Sequence, residues 1–92
     1  MIIDFDCKET SAIFNGLDSK KYFAIQKIAK RKLDMLHFAH CEKDLLAPPS
    51  NHFEHLKGNF KGYCSIRIND QFRIIFKFND ARVTNVRIID YH

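Results

Sequence analysis

Apolar positions in the first half of the chain recur every three or four residues. Tyr22, Ile25, Ala29, Leu33 and Leu36 form one stripe, widened by Ile28 and Met35, and predict an amphipathic helix over residues 19–40 with Asp18 or Ser19 as its N-cap. A shorter helix is predicted over 8–15, where Ala12, Ile13 and Phe14 precede Gly16, placed as a left-handed C-cap residue. Ahead of it, Ile2, Ile3 and Phe5 with Asp4 and Asp6 between them read as a brief edge strand. Pro48-Pro49 cannot continue a helix, so a loop is expected through to Gly62.

From Tyr63 the period changes to two. Cys64, Ile66 and Ile68, then Phe72, Ile74, Phe76 and Phe78, alternate with more polar neighbours, as in two strands of an antiparallel hairpin. A three-residue loop, Asn69-Asp70-Gln71, pairs Ile68 with Phe72 and Ile66 with Ile74; a two-residue loop would set Ile66 against Arg73. A third strand over 83–89, joined by Asp80-Ala81-Arg82, matches Phe76 with Val86 and Ile74 with Ile88. The elements then run β-α-α-β-β-β, an α+β architecture. This register sets Arg67 opposite Arg73 and Arg87 diagonal to it, so three like charges converge on one sheet face. Like charges in cross-strand positions are destabilising, which favours an anion site over mere cover for the sheet.

Composition bounds what such a sheet can serve. The chain has 92 residues, 46% of them hydrophobic, and a formal net charge of +4. That is one basic domain spanning 1–92, without room for a separate cofactor domain. Residues 47–92 hold seven Lys and Arg against four Asp and Glu, and four of the seven are Arg, the side chain suited to gripping phosphate bidentately. On the helix, Lys20, Lys27, Lys30 and Arg31 form a strip that is either a solvated face or a phosphate-contacting surface. No apolar run approaches the ~18 residues needed to span a bilayer, and the N-terminal stretch does not read as a signal peptide, so a cytoplasmic location is expected. Three cysteines at irregular spacing, without C-x-x-C, point to reduced thiols rather than a disulfide framework.

Candidate chemistry concentrates at the C-terminus. Asp90, Tyr91 and His92 place an acid, a phenol and an imidazole beside the arginine face, and His92 is the natural proton carrier at neutral pH. By alternation, Tyr91 shares the arginine face, while Asp90 and His92 share the core parity. Lys57 sits in the loop, between Leu56 and Gly58. His37-x-x-His40-Cys41 and His52-x-x-His55 offer zinc-type ligands, but a single Cys beside the end of a helix makes surface histidines the expectation, with no metal. Gly-rich phosphate loops, nucleophile elbows and H-E-x-x-H are absent from the sequence.

His55-Leu56-Lys57-Gly58, Gly62-Tyr63, the run from Ser65 to Ile74 and the terminal Asp90-Tyr91-His92 together resemble HigB-type toxins of the RelE/ParE superfamily, from type II toxin-antitoxin systems. The resemblance implies a RelE-like fold and a ribosome-dependent mRNA endonuclease that cuts translated codons in the A site by 2′-hydroxyl attack, without a cofactor. It implies a helix-turn-helix HigA-type antitoxin as partner. Residue by residue it implies catalytic roles for Lys57, Arg73, Asp90, Tyr91 and His92. Arg67 matches a basic position of that family, and Arg87, Lys27, Lys30 and Arg31 are added as RNA contacts from their charge. Two other classes compete with this reading: a noncatalytic nucleic-acid-binding module, in which the same arginines grip phosphate, and a ParE-like gyrase inhibitor of the same fold, against which the set Lys57, Arg73 and Asp90-Tyr91-His92 argues.

Overall fold

A computed structural model describes residues 1–91. Two helices, α1 (Lys8–Phe14) and α2 (Gln26–Phe38), precede an antiparallel sheet of four strands. The strands are β1 (Glu54–His55), β2 (Cys64–Arg67), β3 (Phe72–Asn79) and β4 (Arg82–Asp90), side by side in that order. The helical stripe is buried as its period requires. Tyr22, Ile25, Ala29, Leu33 and Leu36 join Ile13 from α1 against Cys64, Ile66, Ile74, Phe76, Val83, Val86 and Ile88 of the sheet. Thr10 fastens α1 to the sheet, its buried Oγ1 accepting the Ile88 amide at 3.0 Å.

The second helix is shorter than its apolar period. Ser19 does act as a cap, with Oγ accepting the Tyr22 amide at 3.1 Å. The turn it caps, however, continues into a 3₁₀ segment, Phe23–Ile25, before regular helix begins at Gln26. Gln26 reaches back, its Oε1 accepting the Ser19 amide at 2.9 Å and its Nε2 donating to Asp18 at 2.8 Å. At the other end Ala39 turns extended, and the His40 amide donates to the Asp44 carboxylate rather than to the helix. That bond is the main reason the Asp44 carboxyl titrates below its ordinary value.

The first hairpin has the expected register, with Ile66 opposite Ile74 and Arg67 opposite Arg73. The second reaches its register by another route. Its loop holds two residues, Asp80 and Ala81, both in the left-handed region at φ +51° and +66°, as a type I′ turn demands. A two-residue loop pairs Phe78 with Val83 and Lys77 with Thr84. A bulge at Asn85, φ +56°, then inserts one residue and restores Ile74 opposite Ile88 and Ile75 opposite Arg87. The predicted three-residue loop was one residue too long because it absorbed the bulge.

Two further expectations need correction. The N-terminal segment is not a strand; it touches β4 at two isolated parallel bridges, Ile2 with Val83 and Phe5 with Val86. The bulge lies between them and interrupts any ladder, and Asp4 and Asp6 bind Asn85 instead, at its backbone amide (2.6 Å) and side-chain amide (3.0 Å). The expected loop, conversely, contains β1, which pairs Glu54 with Ser65 and His55 with Cys64. Before β1 the loop is gathered by Asn51, fully buried, whose Nδ2 donates to the carbonyls of Leu45 (3.1 Å) and Ala47 (3.2 Å).

Candidate RNA-contacting face

Alternation along β2, β3 and β4 sends Ser65, Arg67, Arg73, Ile75 and Arg87 to the face turned away from the helices. This face is not an open surface. Ser65 and Ile75 are fully buried, and Arg73 retains only 8% of its exposure. The Arg73 Nε donates to Ser65 Oγ at 2.9 Å, Nη2 donates to the His52 carbonyl, and the guanidinium lies 5.4 Å from the centre of the Tyr91 ring. His52 itself holds a left-handed backbone, φ +44°, at the end of a 3₁₀ turn, a conformation costly for a residue with a Cβ. Arg73 therefore does two things at once: it pins the loop carbonyl and presents a buried cation. Ser65, the His52 carbonyl and the Tyr91 ring, its contacts named here among the described residues, are formally neutral, and a cation in a low-dielectric setting attracts an anion most strongly.

Around it the structure brings together some of the sequence-derived residues and separates others. Tyr91, 39% exposed, stays on the arginine face because its amide donates to the Gln71 carbonyl at 2.7 Å. Arg67, opposite Arg73, is paired with Asp70 in the hairpin loop; Arg87 stands half buried opposite Ile75. Asp90 pairs with Phe72, on the opposite parity from Tyr91, and its Oδ2 accepts Gln71 Nε2 at 3.1 Å. Lys57 is exposed at the start of a 3₁₀ turn, Gly58–Phe60, and Gly58 takes the φ of +64° that the reversal requires. Among the described residues no hydrogen bond or ion pair links Lys57 to Arg73. Lys27, Lys30 and Arg31 lie in the helical layer, lining a groove with Ile13 and Leu17; Lys30 is paired with Asp34 at 2.7 Å and lies over the Phe14 ring. His92 lies outside the described residues.

Lys32 was missed in the sequence. It leaves α2 toward the loop, donating to Asn51 Oδ1 at 2.5 Å, and its ammonium is held below its ordinary value by burial first, then by the charges of Arg31 and Arg67. A further cation thus lies within electrostatic reach of Arg67. Ser65 was also missed, although its parity put it beside Arg73. On the same parity Lys77 lies 5.1 Å from the Tyr63 ring centre. Cys64 faces the other way, toward His55 and Glu42; its thiol is pushed up to about 11 by burial, with the Glu42 charge adding to it.

A basic, aromatic-bordered sheet under two helices defines the class: the fold is that of the RelE-like toxins. It matches the YoeB–YefM toxin-antitoxin complex from Staphylococcus aureus with a TM-score of 0.63 and 23% identity, over 100% of this chain and 95% of that one. It matches YafQ from Escherichia coli strain BL21(DE3) with a TM-score of 0.64 and 16% identity, over 98% and 91% of the two chains. Residues 10–92 match the HigB-like toxin family, described as RelE-like toxin of type II toxin-antitoxin system HigB, and the chain belongs to that family. Toxin HigB-1 of Vibrio cholerae serotype O1 is 50% identical over 62 residues, 67% of this chain and 65% of that protein. An uncharacterized protein of Haemophilus influenzae is 39% identical over 62 residues, 67% of this chain and 61% of that protein, so the match spans less than two thirds of either relative. No helix among the described residues is long and apolar enough to cross a membrane.

Proposed function

We propose that this toxin is an endoribonuclease that enters the ribosomal A site and cuts translated mRNA. The observation that carries the reading is Arg73: a nearly buried guanidinium held by Ser65 Oγ, the His52 carbonyl and the Tyr91 ring. RNA brings its own nucleophile, the 2′-hydroxyl beside the scissile phosphate. The protein has to stabilise the charge that builds on the phosphoryl oxygens, and to take a proton from the 2′-oxygen and give one to the leaving 5′-oxygen. Arg73 suits the first task, with Lys57, Arg67 and Arg87 as further phosphate contacts; Lys27, Lys30 and Arg31, on the helical layer, would serve at most as outlying contacts with ribosomal or messenger RNA. Tyr91, placed on the arginine face, stacks on or hydrogen-bonds to the nucleotide. His92 is the proton carrier and Asp90 its orienting carboxylate. The partner is a helix-turn-helix antitoxin of the HigA type; the YoeB–YefM structures are themselves toxin-antitoxin complexes.

The test maps 5′ ends on mRNA translated in a purified system with this chain added. In-frame cuts that require ribosomes, and that slow sharply in a chain ending at Tyr91 while RNA binding is retained, are expected. Binding without cut ends would make the chain a nucleic-acid-binding module. Intact mRNA together with gyrase-linked DNA breaks would make it a gyrase inhibitor.

A further inference from the structure

On the helix side of the β1–β2 edge, three chemically matched donors converge from separate parts of the chain. His55 and Cys64 are directly opposite in the ladder, so the backbone holds their side chains on one face. Glu42 arrives from the 3₁₀ turn Glu42–Leu45 that follows α2. One ligand atom from each lies within 4.8 Å of the other two. Linear spacing could not show this, since the three residues lie 9 to 22 positions apart and belong to no contiguous motif.

We propose that Cys64, His55 and Glu42 form a binding site for zinc or a cation of the same class, clamping the two-residue strand β1 to the turn after α2. Zinc takes thiolate at about 2.3 Å and imidazole at about 2.0–2.1 Å, so a tetrahedral angle puts those two ligand atoms ~3.5 Å apart. The Cys64 Sγ to His55 Nδ1 distance is 3.5 Å. The imidazole is already oriented for this. Glu42 Oε1 lies 2.8 Å from Nε2, and a proton on Nε2 leaves the Nδ1 lone pair directed at the sulfur. A carboxylate behind a ligating histidine is the usual outer partner of zinc. Glu42 is about half exposed, 46%, and can also turn to supply a third donor, with water completing the shell on the open side, where His55 is 65% exposed.

Charge balance favours a dication specifically. One thiolate and one carboxylate together cancel the charge of a bound dication. Binding replaces the Cys64 S–H bond with an S–metal bond and releases one proton to solvent. The site faces away from Arg73, so the proposal stands whether or not the chain cleaves RNA.

The test titrates Co²⁺ into the untagged, reduced full chain and follows thiolate-to-cobalt charge-transfer absorption, with Zn²⁺ as competitor. One equivalent is expected to develop the band, Zn²⁺ to abolish it, and Zn²⁺ to raise the melting temperature. His55→Ala, at a side chain 65% exposed, should lose the band while the far-ultraviolet circular dichroism of the parent chain is kept. Glu42→Gln should weaken binding by about tenfold or more. Cys41→Ser removes the exposed neighbouring thiol and should leave the titration unchanged; Cys64→Ala should end it. Absence of the band in the parent chain, an unchanged titration in His55→Ala, or loss of the band in Cys41→Ser overturns the proposal and leaves these groups as a hydrogen-bonded cross-strand pair.

Discussion

Arg73→Lys separates charge from shape at the centre of the candidate face. Lysine keeps the positive charge but presents one point donor in place of a planar fork. The native guanidinium satisfies Ser65 Oγ with Nε and the His52 carbonyl with Nη2, two acceptors on different parts of the chain. A single ammonium cannot occupy both positions, so one buried acceptor is left without its donor, at about 1–3 kcal/mol. The carbonyl is the more consequential loss, because it restrains His52 in its left-handed backbone. Urea unfolding should therefore show a lower midpoint with an unchanged slope, since the surface exposed on unfolding is the same. Catalysis should fall further than stability. Removing one preorganised donor to a developing oxyanion costs roughly 10²–10³ in rate, and the ammonium is displaced as well as altered. Ribosome-dependent cleavage measured under conditions where the variant is fully folded isolates that term. Wild-type cleavage in Arg73→Lys would refute the role of the fork, and an unchanged midpoint would refute the anchoring of His52.

Further outcomes follow from particular contacts. Asn51→Ala leaves the Leu45 and Ala47 carbonyls without their donor, so a loss of about 2–6 kcal/mol in urea unfolding is expected at ~1–3 kcal/mol for each, with the part-buried Lys32 ammonium free to turn to water. Ala81→Gly relieves a side chain held at φ +66°; a gain of about 1 kcal/mol, or roughly 4–8 °C in melting temperature, is expected by calorimetry. Lys32 holds its proton less tightly folded than unfolded, so the unfolded chain binds more protons between the lowered value and 10.5. Stability should accordingly gain a contribution as pH rises through that window, and Lys32→Gln should remove this slope relative to the parent chain. Asn85→Ala keeps the positive φ of the bulge but deletes the bond to Asp6, and about 1–2 kcal/mol of destabilisation is expected in urea unfolding.

Much of the helix layer and the first hairpin could be read from local pattern. The helical stripe named its own buried residues because a period of 3.6 admits one core-facing side, and the hairpin register followed because the alternative would have buried Arg73 among the core isoleucines. What escaped depends on backbone states that composition does not announce. Asp80-Ala81 carries no glycine, so the tight loop had no signal, and Asn85 as a bulge differs from Asn85 as an ordinary strand residue only in φ. The candidate face was legible as parity, which united Arg67, Arg73, Arg87 and Tyr91, but burial was not. Arg73 looked like a surface charge until His52 and Ser65 were seen to enclose it. Lys32 was passed over because its importance comes from Asn51, nineteen residues away.

The bulge at Asn85 has a consequence for how the molecule behaves in company. β4 is the outer strand of the sheet, and a long outer strand is an invitation to pair with another copy of itself. Here the N-terminal segment lies along it, Asn85 bends the backbone out of line, and Asp4 and Asp6 stand at the bend with two negative charges. The opposite margin is the two-residue strand β1, too short to template anything. A sheet rich in isoleucine and phenylalanine thus has both margins guarded against strand-to-strand pairing with another copy of itself.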